Sequence, residues 1–159
     1  PVVHFAISDL FCGEGDMVVS VPVLRCGGLG GTSTVRFSTA DRSAVAGRSY
    51  EATSGELTFG PGEWEKHIDV RLIDDDVWRP TVTFNLVFDR ENVSGATIGQ
   101  YLWKASVHIM DNDTFPSNRF QRAIDDTLSQ TMDLRQMLLP VKDTSLLWEF
   151  CKVMCADPF

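Results

Sequence analysis

Glu65-Lys66-His67-Ile68-Asp69-Val70-Arg71-Leu72-Ile73-Asp74-Asp75-Asp76 reads as a strand that ends in a carboxylate cluster. Apolar side chains at Ile68, Val70 and Leu72 alternate with polar ones, the period of a strand with one face in a core and the other in water. The run then ends in three consecutive carboxylates. A second stretch of the same design, Ala105-Ser106-Val107-His108-Ile109-Met110, runs into Asp111-Asn112-Asp113. Carboxylates bunched at a strand end repel one another unless a cation offsets them. A hard cation such as Ca²⁺ takes roughly six to eight oxygens from such groups. The pattern therefore raises a calcium site on a β-sandwich as the first expectation.

Outward from these two strands the pattern stays β-like through residue 116. Val2 to Ile7, Met17 to Leu24, Thr34 to Thr39, Leu57 to Phe59 and Thr81 to Phe88 are short apolar or alternating runs, and the second strand quoted above begins at Leu102. Turn formers separate them, among them Cys26-Gly27-Gly28-Leu29-Gly30-Gly31 and Gly60-Pro61-Gly62. That count predicts an all-β, seven-strand, antiparallel sandwich of immunoglobulin-like form. Residues 117–159 switch to a helical period. Ser117 is an N-cap, and Phe120, Ile124, Leu128 and Met132 follow at i, i+4 spacing as one apolar stripe before Pro140. A second short helix is expected from Thr144 to Met154. The reading is a sandwich over 1–116 and a helical extension or connector over 117–159.

The chain has 159 residues with 22 Asp and Glu against 14 Lys and Arg, a net charge of −8. An acidic chain without a basic face is a poor match to nucleic acid. No apolar run is long enough to span a bilayer. The chain starts at Pro1 without an initiator Met and is read as a segment of a longer protein. Cys12, Cys26, Cys151 and Cys155 form no C-x-x-C pair, so zinc is not expected, and free thiols are preferred to disulfides. Free thiols point to the cytosol, while the sequons Asn92-Val93-Ser94 and Asn112-Asp113-Thr114 point outward; the cytosolic reading is preferred. His4, His67 and His108 are read as isolated, exposed strand residues. The glycine-rich turn has no Lys and helix after it to make a phosphate loop. No nucleophile and base are legible together, so an enzyme is not expected.

Several pieces in order resemble a known family. Val35-Arg36-Phe37-Ser38-Thr39-Ala40-Asp41, Ala44-Val45-Ala46-Gly47-Arg48-Ser49-Tyr50, Gly55-Glu56-Leu57-Thr58-Phe59-Gly60-Pro61-Gly62-Glu63, Lys66 to Asp76, and Val107-His108-Ile109-Met110-Asp111-Asn112-Asp113 are similar to successive elements of the Calx-beta domain. That module is found in sodium–calcium exchangers and in adhesion and surface proteins. The resemblance spans about residues 2–115 and implies a seven-strand sandwich. It also implies calcium held between loops at one end, with Glu14, Asp74, Asp75, Asp76, Asp111 and Asp113 in the ligand positions. The pattern departs from the family at three places. Ser49 replaces the acidic residue before Tyr50, and Arg79 and Val82 stand where glutamates are expected. Loss of those carboxylates removes charge that a cluster of adjacent ions needs, since affinity follows ligand charge.

Two functions from different classes follow. One is a calcium-binding regulatory module of a larger, membrane-associated protein, with a degenerate site for one weak ion. The other is a metal-free structural or interaction sandwich in which Arg79 supplies the cation, because a guanidinium pairs with carboxylates without metal. In both, the stripe Phe120, Ile124, Leu128 and Met132 either folds back onto the sandwich or contacts an adjoining domain or protein partner.

Overall fold

In the computed structural model, residues 1–75 and 77–113 are described. The expected helices, the stripe from Phe120 to Met132, and Cys151 and Cys155 lie outside them. The chain divides into two compact units. The first, Pro1–Asp74 with Thr81–Met110, holds every strand of the described residues; the second takes in Asp75–Pro80 and the chain from Asp111 onward.

The strands of the first unit are β1 (Val2–Phe5), β2 (Asp9–Gly13), β3 (Val18–Cys26), β4 (Ser33–Ala40), β5 (Ser54–Phe59), β6 (Glu65–Arg71), β7 (Val82–Ser94), β8 (Thr97–Ile98) and β9 (Lys104–Met110). They form two sheets, β6-β3-β1-β8 and β2-β9-β7-β4-β5. Alternation sends Val19, Val21 and Val23 of β3, Phe84, Leu86 and Phe88 of β7, and Ala105, Val107 and Ile109 of β9 into one core. Aromatic pairs lock it. Phe5 of one sheet stacks on Phe88 of the other with centroids 4.2 Å apart, and Tyr50 stacks on Phe84 at 4.1 Å. The Tyr50 hydroxyl donates to Asp41, whose carboxylate also accepts Ala46 N at 3.1 Å, so the Ala44–Tyr50 element is folded around a buried ring.

The sandwich is as expected; three details are corrected. The described residues carry nine strands rather than seven. The opening segment is two strands. β1 pairs with β3 in one sheet, and after Phe5 the chain crosses to pair as β2 with β9 in the other. The sheets are also not purely antiparallel, because β1–β8 and β2–β9 are parallel. Such pairs arise when a chain changes sheets instead of turning back as a hairpin. Last, His108 is half-buried and partnered rather than isolated: its Nε2 lies 3.1 Å from Asp9 Oδ1, its Nδ1 2.9 Å from Thr83 Oγ1, and Phe11 stacks on its ring at 4.5 Å. The hydrogen bond from His108 is the largest influence holding the Asp9 carboxyl below its usual range.

Pro22 sits in β3, an interior strand, where proline is normally excluded. Its carbonyl accepts Ala6 N at 3.0 Å. In an antiparallel strand the nitrogen points the same way as the carbonyl, so the missing donor faces Ala6, one residue past the end of β1, and the bond forgone is the last of that ladder.

Gly95 closes the β7–β8 turn with φ +66°, and a Cβ there would stand 2.2 Å from the Thr32 carbonyl oxygen. Backbone cannot yield as a flexible side chain can, and the φ is itself strained for alanine. Gly95→Ala is expected to cost about 2 kcal/mol, read as a lower urea midpoint at unchanged slope.

Candidate metal centre

The acidic strand ends were expected because β6 and β9 run out of the sandwich into Asp74 and Asp111. β2 pairs with β9 in parallel with Gly13 opposite Met110, so Glu14 and Asp111 are the residues that follow that last pair on their strands. Glu14 and Asp74 belong to the sandwich unit. Glu14 is buried in the 3-10 turn Glu14–Asp16, and Asp74 is exposed. The turn is tied by Gly13 N donating to Asp16 Oδ2 at 2.7 Å, and it is followed by Met17 at φ 63°, a left-handed setting rare for a side chain of this size. Asp76 lies outside the described residues.

In the second unit Asp75, Arg79, Asp111 and Asp113 interact. Asp75 Oδ1 accepts Val77 N at 2.9 Å, an Asx turn that folds the loop back on itself. Asp75 Oδ2 takes the Arg79 guanidinium through Nη2. Asp111 Oδ2 accepts the backbone N–H of Arg79, and Asp111 Oδ1 accepts Asp113 N at 2.6 Å. One residue thus bridges the two acidic segments, by its side chain to Asp75 and by its main chain to Asp111. The pair is largely shielded from water, with the Arg79 side chain 15% and that of Asp75 31% exposed, so it is screened less than a surface pair.

These donors bear on whether a hard cation fits. Each oxygen of Asp75 and Asp111 has already accepted a hydrogen bond, and a full positive charge stands against Asp75. A carboxylate oxygen keeps a second lone pair, so one ion is not sterically barred. It would meet the repulsion of Arg79, and a second ion beside it would meet more. The oxygen donors present suit a hard cation, and the Arg79 charge beside Asp75 opposes one.

Arg25 is a buried residue not expected from the sequence. It is 2% exposed, and its guanidinium reaches backbone carbonyls in both flanking loops. The signal was available, since Arg25 continues the inward series Val19, Val21, Val23.

A family model for the Calx-beta domain matches residues 1–113. The chain belongs to the Calx-beta domain family. Among curated relatives, sodium/calcium exchanger 1 of Felis catus is 40% identical over 84 residues, 52% of this chain and 9% of the exchanger. Integrin beta-4 of Homo sapiens is 38% identical over 73 residues, 46% of this chain and 4% of the integrin. The matched segments are thus a small part of those relatives' length. Among solved structures, the apo-form Calx CBD1 domain superposes with a TM-score of 0.66 at 28% identity, covering 70% of this chain and 97% of that one. The calcium binding domain CBD12 of CALX1.1 gives 0.65 at 28% identity, covering 69% of this chain and 45% of that one. Among the described residues, no helix is long and apolar enough to cross a membrane.

Proposed function

We propose that this chain is a non-catalytic regulatory and interaction module of a larger, membrane-associated protein, facing the cytosol, with a degenerate calcium site. Glu14, Asp74, Asp75, Asp76, Asp111 and Asp113 are the candidate carboxylates, and Arg79 supplies part of the charge that calcium supplies in calcium-binding relatives. The observation that carries this reading is the double contact of Arg79, guanidinium to Asp75 and main chain to Asp111. It joins the two acidic segments without an ion. Calcium then binds as one weak ion at most, and the regulatory output comes from the joined loops and the segment that follows them. Residues 1–116 act as the sandwich and 117–159 as the connector, whose stripe Phe120, Ile124, Leu128 and Met132 meets an adjoining domain or protein partner.

The melting temperature in calcium and in chelator tests this. A ligand that binds the native state stabilises it by RT ln(1 + [Ca²⁺]/Kd). With a Kd on the order of 1 mM, 10 μM calcium adds essentially nothing and 10 mM adds roughly 1.4 kcal/mol. The expected result is no shift at micromolar calcium and a rise of a few degrees at 10 mM. No rise at 10 mM selects the metal-free form of the module, with Arg79 as its permanent cation. A full rise at 10 μM contradicts the reading.

A further inference from the structure

Cys26 and His4 lie on neighbouring strands, and their side chains meet away from the core. β1 and β3 pair with Val2 opposite Cys26 and His4 opposite Leu24, which makes the two residues a diagonal pair on one face. Val3 and Phe5, the alternate residues of β1, point into the core, so this is the outer face of the sheet. Cys26 is exposed, with Sγ 3.5 Å from His4 Nε2. The other ring nitrogen, Nδ1, lies 2.8 Å from the Phe5 carbonyl oxygen. A carbonyl can only accept, so in the neutral ring Nδ1 carries the hydrogen and donates it. That leaves the lone pair of Nε2 directed at the thiol. Gly99 leaves room for the ring: its N–H donates to Val3 O at 2.8 Å, and a Cβ there would stand 3.0 Å from His4 Cβ. A nucleophile, a base within reach and an acceptor that fixes the base's tautomer are the elements that activate a cysteine.

Cys12 is the internal contrast. It is buried, its thiol donates to the His108 carbonyl at 3.5 Å, and burial, with Asp16 nearby, pushes its pKa up to about 11. Buried and bonded to a carbonyl, it stays a thiol packed in the core.

We infer that Cys26 is a thiol-modification site for small-molecule disulfides, with His4 as its base. Cys26 Sγ attacks one sulfur of the reagent while its proton passes to His4 Nε2. The reagent's S–S bond breaks and a new S–S bond joins Cys26 to one half. The other half leaves as a thiolate and recovers the proton from the imidazolium. Cys26 is oxidised and the departing sulfur is reduced, so no further oxidant is needed. The adduct stands on the open face of the four-stranded sheet, beside the half-exposed Val2.

Incubating the full chain with glutathione disulfide at pH 7, with peptide mass mapping to locate the adduct, tests the site. Base assistance is worth at least about tenfold, so Cys26 in the native chain is expected to react about tenfold or more faster than Cys26 in the same chain unfolded in urea. His4→Gln is expected to bring the native rate to within about twofold of the unfolded one, and Cys26→Ser to abolish the early adduct. A native rate no higher than the unfolded rate overturns the inference. So does a His4→Gln rate equal to that of the unaltered chain, or a first adduct on Cys12, Cys151 or Cys155. Should His4→Gln lower the melting temperature, the native-to-unfolded ratio of the unaltered chain decides alone.

Discussion

Arg25→Met is expected to lower the unfolding free energy by about 3 kcal/mol, a fall in melting temperature of roughly 10 °C or more for a domain of this size. Arg25 is among the largest fully buried side chains, and its hydrogen bonds go to neutral acceptors. Nε donates to Glu63 O at 2.9 Å, Nη1 to Gly31 O at 2.8 Å and Ser33 Oγ at 3.3 Å, and Nη2 to Gly60 O at 2.7 Å. The guanidinium also stands 5.6 Å from the centre of the Phe59 ring. The charge is thus met by converging carbonyl dipoles, and those carbonyls belong to the two glycine-containing loops that follow β3 and β5. Methionine keeps most of the aliphatic volume, so the loss reports the stranded acceptors rather than a cavity. Arg25→Lys restores the charge but not the planar fork, and is expected to recover less than half. Urea unfolding measures both variants. A shift below about 0.5 kcal/mol for Arg25→Met would show that the loops hold without it.

Arg79→Glu is the second large effect and acts in opposite directions on the free and the calcium-loaded protein. Without calcium it replaces an attraction at Asp75 by a repulsion in a half-shielded setting, and is expected to cost about 1–2 kcal/mol. With calcium it removes a competing cation and restores a carboxylate where the family pattern has a glutamate. Affinity rises with ligand charge, so the Kd is expected to fall by about tenfold or more. The melting temperature of the variant should then lie below that of the unaltered chain in chelator and gain more on adding calcium. Arg79→Ala separates the two contributions, since it removes the guanidinium without adding an oxygen, and should give an intermediate affinity. Parallel behaviour of all three proteins in calcium and in chelator would mean that Arg79 does not govern the acidic end.

Strands whose inner face is a strict apolar series were legible as such. β6 with Ile68 and Val70, and β9 with Ala105, Val107 and Ile109, carry the core signal in every second residue. β2 did not announce itself. Its Phe11 is 61% exposed and its Asp9 points to His108, so the strand exists through its parallel partner β9 rather than through its own period. β8 is two residues long and carries no period at all. At the acidic end, the carboxylate pattern and the departure at Arg79 could be read directly. The bridge to Asp111 could not, because it is made by the main-chain N–H of Arg79, which every residue but proline possesses and no sequence marks. The pairing of His4 with Cys26 was hidden for a related reason: it depends on the register of β1 against β3, and register is fixed by the packed face as a whole.

Calorimetric titration of the metal-stripped, intact chain with CaCl₂ tests most directly whether Arg79 holds the acidic end in calcium's place. Silence is expected at micromolar calcium, with at most one site of Kd on the order of 1 mM. Two or more sites filling at micromolar calcium would contradict it, and would mean that the carboxylates recruit calcium against the guanidinium already among them.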